Sequence, residues 1–357
     1  MSVQRIPADQ ALAQLGRFDT IVDARSESEF AIDQLPGADN WPSLHDAERV
    51  EVGTMYRQVS PFEARKRGAA LVARNIAAHI ERHCMDKPKN WQPLLYCWRG
   101  GQRSGALALV LGQIGFRVQV LEGGYKAFRA AMLADLPARI EKLHFRVICG
   151  PTGSGKTRLL HALAAAGAQV LDLEALARHR ASVLGAIPGV SQPSQKHFET
   201  QVWDTVRALD AARPVYVEAE SRKVGNLTLP ESLVAAMRAS ACLRVDLSQD
   251  ERVALLLEDY PFFVSNPAFF CERLDALVTL RGRAVVEGWK TQIAAGHTEA
   301  VVRELLEKHY DPGYATSTRR NFSQFEHALA VAPSDRSQAA FDRASAQILA
   351  AEAPVLR

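Results

Sequence analysis

Apolar positions in the first third of this chain fall in short runs that stop at polar or reactive residues. Thr20-Ile21-Val22 ends on Asp23, and Pro93-Leu94-Leu95-Tyr96 ends on Cys97. Apolar runs of this length, bounded by turn residues, predict buried strands. A segment of helical spacing follows each one. Ser26 or Ser28 can cap a helix over SESEFAI, with Glu29 in its first turn. SGALALVLGQIG predicts a buried helix that stops at Gly115, and RVQVLEGGYKAF reads as strand, Gly-Gly turn and helix. LPGADNWP reads as a turn-rich loop. Strands alternating with helices imply an α/β fold built on a parallel sheet.

The pattern is interrupted at residues 134–144, a polar stretch carrying Pro137, and a domain boundary is expected there. FRVIC then predicts a strand, GPTGSGK a loop and TRLLHALAAAG a helix. QVLDLEAL, PVYVEAES and CLRVDLS add three more strands, the first two ending in carboxylates. Beyond residue 250 the spacing turns helical, with aromatics in DYPFFVSNPAFF, and the Ala-rich tail 335–357 predicts a loose helix. The expected organisation is a parallel-sheet domain over 1–136, a second α/β domain over 137–250, and a helical extension over 251–357.

Composition narrows the function classes. With 357 residues, 47% hydrophobic and 23% charged, the chain can bury a sizeable core. No apolar run approaches a membrane span, and the first residues lack the pattern of a secretory signal, so a cytoplasmic location is expected. Five scattered cysteines without CxxC spacing argue against a disulfide framework or a zinc site. A formal net charge of +3 is far below a nucleic-acid-tail signature. The basic clusters EARKRG, ARHR, SRK and TRR each read, taken alone, as solvated faces.

Gly150-Pro151-Thr152-Gly153-Ser154-Gly155-Lys156-Thr157 matches GxxxxGK[ST] between a strand and a helix, the context that gives the motif meaning. Glycines let backbone N–H groups surround phosphate oxygens, and the helix N-terminus adds positive potential. Lys156 can reach a terminal phosphate, and Thr157 is a candidate Mg²⁺ ligand. ATP or GTP would satisfy the loop, and so would a diphosphate ester. Glu218 and Glu220 are the candidate acidic partners, with Asp172 and Glu174 as alternatives; strand-end carboxylates serve equally as helix caps.

Cys97 admits three readings: packed thiol, phosphatase nucleophile or chalcogen carrier. Cys149 and Cys242 lie inside apolar strands and read as packed. Cys97 instead opens the loop WRGGQRS, which ends at a predicted helix start and brings Arg99 and Arg103. Amides, a helix N-terminus and guanidinium groups all favour a thiolate. Cys-x5-Arg-Ser fits a phosphatase loop, in which Arg grips phosphoryl oxygens, and it fits a sulfur-carrying loop equally well.

Flanking residues bear on that choice. Asp23, Arg25, Glu29 and Phe30, followed by Pro36, Gly37, Ala38, Asn40 and Pro42, resemble the opening motif of rhodanese domains, and VLEGGYKAF resembles their closing segment. With CWRGGQRS and GPTGSGKT in that order, the chain resembles the tRNA 2-selenouridine synthases. AERVEVGTMYRQVSPFEARKRG, LDLEALARHRASVLGAI, QPSQKHFE, EAESRKVGNLTLP and HYDPGY agree, over roughly residues 5 to 325. Ala181 departs from a glycine expected in that family.

The resemblance implies a rhodanese-like domain followed by a P-loop domain, and a cytoplasmic transferase acting on tRNA with wobble 2-thiouridine. Geranyl diphosphate would alkylate the thiocarbonyl sulfur, and selenophosphate would then supply selenium. No tightly bound cofactor is implied; Mg²⁺ through Thr157 and a selenophosphate-supplying enzyme are the accessory species. Cys97 would carry selenium as a selenylsulfide, with Arg99 and Arg103 holding selenophosphate or phosphate. Arg178, Arg180, Arg222, Lys223, Arg319 and Arg320 are the candidate tRNA contacts, Arg222 and Lys223 foremost, with Tyr310 or Tyr314 for stacking. DYPFFVSNPAFF offers an apolar trough for the geranyl chain or, more simply, core aromatics. His179 and His309 are proton-shuttle candidates, with a structural role the plainer reading. The rival functions are a P-loop nucleotide kinase or ATPase fused to a cysteine phosphatase, and a binding protein with a vestigial rhodanese domain.

Overall fold

The computed structural model describes residues 3–182 and 184–352. It divides into two compact units, Met1–Ala138 with Pro193–Asp204, and Arg139–Gln192 with Thr205–Arg357.

Unit one is built on five parallel strands: β1 (Gln4–Ile6), β2 (Thr20–Asp23), β3 (Ala38–Asn40), β4 (Pro93–Tyr96) and β5 (Gln119–Leu121), in the order β1-β5-β4-β2-β3. All four residues of β4 are buried, which is why the run is uniformly apolar rather than alternating. The segment expected to be only a loop, 35–42, contains β3, whose Ala38 pairs with Ile21. Asp39 and Asn40 hide it from a hydrophobicity reading, and such polar residues suit an edge strand. Ser26 caps the helix Glu27–Ile32 reciprocally with Glu29, and the helix Gln102–Ile114 stops at Gly115.

Two long helices, Asp46–Gln58 and Pro61–His83, pack against each other. The boundary region holds a surprise: the helix Gly124–Ile140 runs through it with Pro137 inside. The first unit also takes in Pro193–Asp204, from within the span expected to belong wholly to the second domain. Thr200 donates to the buried Asp33 at 3.1 Å, and Trp203 packs edge-on against Phe128.

Unit two carries β6 (His144–Cys149), β7 (Gln169–Leu171), β8 (Pro214–Glu218), a small hairpin of β9 (Lys223–Val224) with β10 (Leu227–Thr228), β11 (Ala241–Val245) and β12 (Leu329–Val331). The main sheet is parallel, in the order β12-β11-β6-β8-β7. β6 is central, and the chain passes first to one side of it (β7, β8) and then to the other (β11, β12). Such a reversal opens a crevice beyond the carboxyl ends of the strands. The region after 250, expected to be helical, adds β12 as the last strand of this sheet.

The C-terminal helix Gln338–Glu352 is not loose. Phe341, Ala344 and Ile348 pack into the core with Leu159, Leu160 and Leu163. Gly155 has φ +84°, and a β-carbon there would lie 2.2 Å from the Phe341 ring, so this helix fixes the residue at the phosphate loop. Residues 353–357 of the expected tail lie outside the described residues. Among the described residues, no helix is long and apolar enough to cross a membrane.

Candidate active site

Cys97 leaves β4 and enters a loop folded around its own sulfur. Gly101 N–H and the Ser104 hydroxyl donate to Sγ at 3.3 and 3.2 Å. Burial opposes ionisation, but hydrogen bonds from the Ser104 hydroxyl and from the Ser104, Gly101 and Arg99 amides outweigh it. They hold the thiol below its ordinary value. The loop lies against the Gly123-Gly124 turn, where a β-carbon on Gly124 would meet the Cys97 carbonyl oxygen at 2.2 Å. Tyr125 N–H donates to that same oxygen, and its ring stacks on Trp98.

The two loop arginines are differently placed. Arg99 is exposed. Arg103 donates to Glu29 at 2.7 Å, and burial of that carboxylate is overcome by this contact, so Glu29 stays below its usual range. Asp23 and Arg25 form a buried ion pair at 2.6 Å. The Arg25 guanidinium lies 4.1 Å from the Tyr125 ring centroid and donates to the Asp33 carbonyl. These two motif residues are closed off from solvent, and Arg25 lies against the Tyr96 and Tyr125 rings on either side of the loop.

The phosphate loop opens on a cavity of about 510 Å³ lined by Thr152, Gly153, Gly155, Lys156 and Thr157. Lys156 Nζ donates to Gly150 O at 2.9 Å. Oxygen atoms of Glu174, Glu218 and Glu220 lie within 4.8 Å of one another on the cavity wall. Burial, followed by the Glu174 charge, pushes Glu218 up to about 8, against the pull of Lys156 and Thr157. Glu220 is raised by burial, then by Glu174 and Glu218. Glu218 Oε1 is buried with no hydrogen-bond partner among the described residues. Glu174 also accepts from the Ala181 N–H at 2.5 Å, a backbone contact that alanine supplies as well as glycine. Asp172 stands apart: it caps the helix Leu173–Ala177 through Ala175 N–H and meets His161 at 2.8 Å.

A narrow apolar cleft of about 40 Å³ adjoins this cavity, sharing Thr152, Ser182, Leu256, Tyr260 and Tyr310 with it. Phe263, Phe270, Val302 and Leu305 line its inner part. Phe262 and Phe269 pack at the rim of the same core. Sequence reasoning therefore found the aromatic segment, while Val302 and Leu305, on the helix Thr298–Leu305, gave no local signal.

Tyr310 and Tyr314 line the main cavity rather than an open surface. The π-helical turn Leu306–Tyr310 brings His309 to the same wall, where Nδ1 accepts from Arg281 at 3.0 Å. Burial, then Arg281, lowers His309 below its ordinary value, which favours the neutral ring. Arg178, His179 and Arg180 line a neighbouring cavity, and Arg180 also reaches the main one and lies over the Tyr260 ring. Ser221, rather than Arg222 or Lys223, is on the main cavity wall; Arg222 is exposed 3.7 Å from Glu231. Arg319 pairs with Glu326, and Arg320 is exposed.

Residues 7–131 match the rhodanese-like domain, and residues 143–269 match the tRNA 2-selenouridine synthase AAA domain. The chain is 38% identical over 297 residues to a tRNA 2-selenouridine synthase of Nitrosomonas europaea, covering 80% of this chain and 76% of that one. It is 31% identical over 342 residues to one of Aeromonas salmonicida, covering 87% and 91%. The chain belongs to the tRNA 2-selenouridine synthase family. A third relative, from Marinobacter nauticus, is 36% identical over 243 residues, covering 67% of this chain and 65% of its own. The fold is that of the family: a rhodanese-like parallel-sheet domain, then a P-loop-type α/β domain with a helical C-terminal part.

Proposed function

We propose that this chain converts wobble 2-thiouridine of tRNA to 2-selenouridine through an S-geranyl intermediate, using geranyl diphosphate and selenophosphate. The observation that carries the reading is an apolar cleft opening directly off a phosphate loop. A nucleotide would bring a polar base to the loop; a prenyl diphosphate brings a hydrocarbon tail. Tyr260, Phe263, Phe270 and Val302 suit that tail, and side chains must part to admit ten carbons into so narrow a space.

In the first step the thiocarbonyl sulfur bonds to the geranyl C1. The C1–O bond breaks, and diphosphate leaves with the electron pair. Lys156 and the loop amides stabilise the charge that develops on diphosphate. Three clustered carboxylates with one unpartnered buried oxygen are hard oxygen donors that fit Mg²⁺. Thr157, Glu174, Glu218 and Glu220 would hold it, and the bound ion would neutralise phosphate charge.

Selenide released from selenophosphate then bonds to C2 of the geranylated uridine. The C2–S bond breaks, and geranylthiolate, a better leaving group than a thiocarbonyl sulfur, departs with the electron pair. We assign that release to Cys97, whose thiolate is stabilised by the loop amides and Ser104. Its sulfur bonds to the phosphorus of selenophosphate, the P–Se bond breaks, and selenide leaves with the electron pair. Water then frees phosphate from the cysteine. Arg99 is the loop cation open to a phosphate, whereas Arg103 must leave Glu29 to reach one. The same amides would receive the phosphate of selenophosphate.

The test incubates the protein with thiolated tRNA, geranyl diphosphate and selenophosphate, followed by mass analysis of the nucleosides. Geranylated and selenated uridines are the expected products. ATP turnover with neither product would favour the kinase or ATPase reading instead.

A further inference from the structure

The helical hairpin of unit one has a tip that the chemistry above does not use. Tyr56, Val59 and Phe62 are 52, 70 and 64% exposed there. Large side chains left this bare at one turn are unusual on a surface without a partner. Ser60 accepts from Phe62 N–H, and Pro61 occupies the first turn of the helix Pro61–His83. The exposed aromatic thus stands on a capped, preorganised helix start. Ala64, Gly68 and Leu71 face inward on this helix, while Phe62, Arg65 and Lys66 share the outer face by their spacing.

The charge at the tip identifies the kind of partner. Between residues 56 and 67, Arg57, Arg65, Lys66 and Arg67 oppose the single carboxylate of Glu63, a local excess equal to the formal net charge of +3 for the whole chain. Lys66 pairs with Glu63, and Arg67 pairs with Glu51 on the other helix. Among the described residues, Arg57 donates to the Gly53 carbonyl and, like Arg65, has no carboxylate partner. Open guanidinium groups beside exposed rings match a polyanion with stackable bases, which is what unpaired RNA loop nucleotides present.

We propose that this hairpin tip is a tRNA-binding surface. Phe62 and Tyr56 offer stacking faces to unpaired bases, and Arg57 and Arg65 contact phosphates. The inference rests on the reading of tRNA as substrate, and it adds an RNA contact on a unit so far assigned only to selenium chemistry.

The test measures binding of the full chain to a tRNA carrying wobble 2-thiouridine, without geranyl diphosphate or selenophosphate. Arg57→Glu with Arg65→Glu is expected to weaken binding at least about tenfold and to flatten the salt slope by about two. Phe62→Ala is expected to weaken it about tenfold with the salt slope unchanged. Both variants should melt like the wild type, because the altered side chains are exposed. Wild-type affinity in both variants overturns the proposal. So does unchanged tRNA affinity accompanied by altered sedimentation, which assigns the tip to a second copy of the chain, or by lost binding to phosphatidylserine vesicles, which assigns it to lipid. Failure of the wild type itself to bind this tRNA would instead remove the substrate reading.

Discussion

The Cys97 loop and the Lys156 loop follow the same local plan, a buried strand, a glycine turn and a helix, yet their surroundings differ. The first closes around one atom: amides and a hydroxyl converge on the sulfur of a residue that is only 3% exposed. The second opens onto a cavity of about 510 Å³ whose wall carries three carboxylates and an apolar side cleft. Both can receive an anion. On the proposed function, the first would supply a nucleophile, and the second would hold a leaving group beside a hydrocarbon chain. The same backbone plan can serve two chemistries when the side chains around it differ.

The largest effect expected from breaking either loop is a clean separation of the two steps. Cys97→Ala should abolish selenation while geranylated tRNA still forms and accumulates. Lys156→Ala should slow geranylation by about 100-fold or more, since it removes a charged donor from the leaving group. Selenation of tRNA geranylated beforehand should survive Lys156→Ala. Loss of geranylation in a folded Cys97→Ala protein would show that the loops do not divide the work.

A second break acts through stability. Asp23→Asn strands the buried Arg25 without its carboxylate. Breaking a buried pair from one side costs about 3–5 kcal/mol, to be read as a lower denaturation midpoint. The companion change Glu29→Gln, at a pair that is only partly buried, should cost less and free Arg103. Equal losses for the two would contradict the division between bracing and mobile contacts in this loop.

The strands and both glycine loops were legible because their apolar runs are buried on both faces, and because motif residues follow strand ends directly. β1, β3 and β12 escaped: each is three residues long at a sheet edge, and β3 is mostly polar. The helix through Pro137 escaped because proline argues locally for a break. Phe341 looked like part of a loose tail because its partner is Gly155, far away in sequence. The carboxylate cluster was half legible. Glu218 and Glu220 share one strand end, but only the tertiary fold selects Glu174 over Asp172. The basic clusters were the least legible, since charge in sequence does not tell an exposed side chain from one on a cavity wall.

A third prediction probes the side cleft. Val302→Phe should fill its inner part and shift preference from geranyl toward dimethylallyl diphosphate. An excluded methylene is worth roughly 1–3 kcal/mol, so a preference change of about tenfold or more is expected in kcat/KM. Equal losses for both diphosphates, or none, would separate the cleft from the prenyl tail.

The smallest effect belongs to the sulfur's own shell. Ser104→Ala removes the hydroxyl that donates to Cys97 Sγ at 3.2 Å. That donor favours the thiolate, so its loss must raise the thiol pKa and move the alkylation inflection to higher pH. The higher pKa would lower the thiolate fraction at neutral pH. The more basic thiolate is also intrinsically more nucleophilic, with a Brønsted slope of about 0.4–0.5, so iodoacetamide should react more slowly at neutral pH, but by less than the lost thiolate fraction alone would give. Above the new inflection the variant should react faster than the wild type, because its thiolate is fully formed and stronger. That crossing of the two pH–rate curves is the decisive signature. Parallel curves would mean that Ser104 merely shields the sulfur, leaving the loop amides to set its ionisation alone.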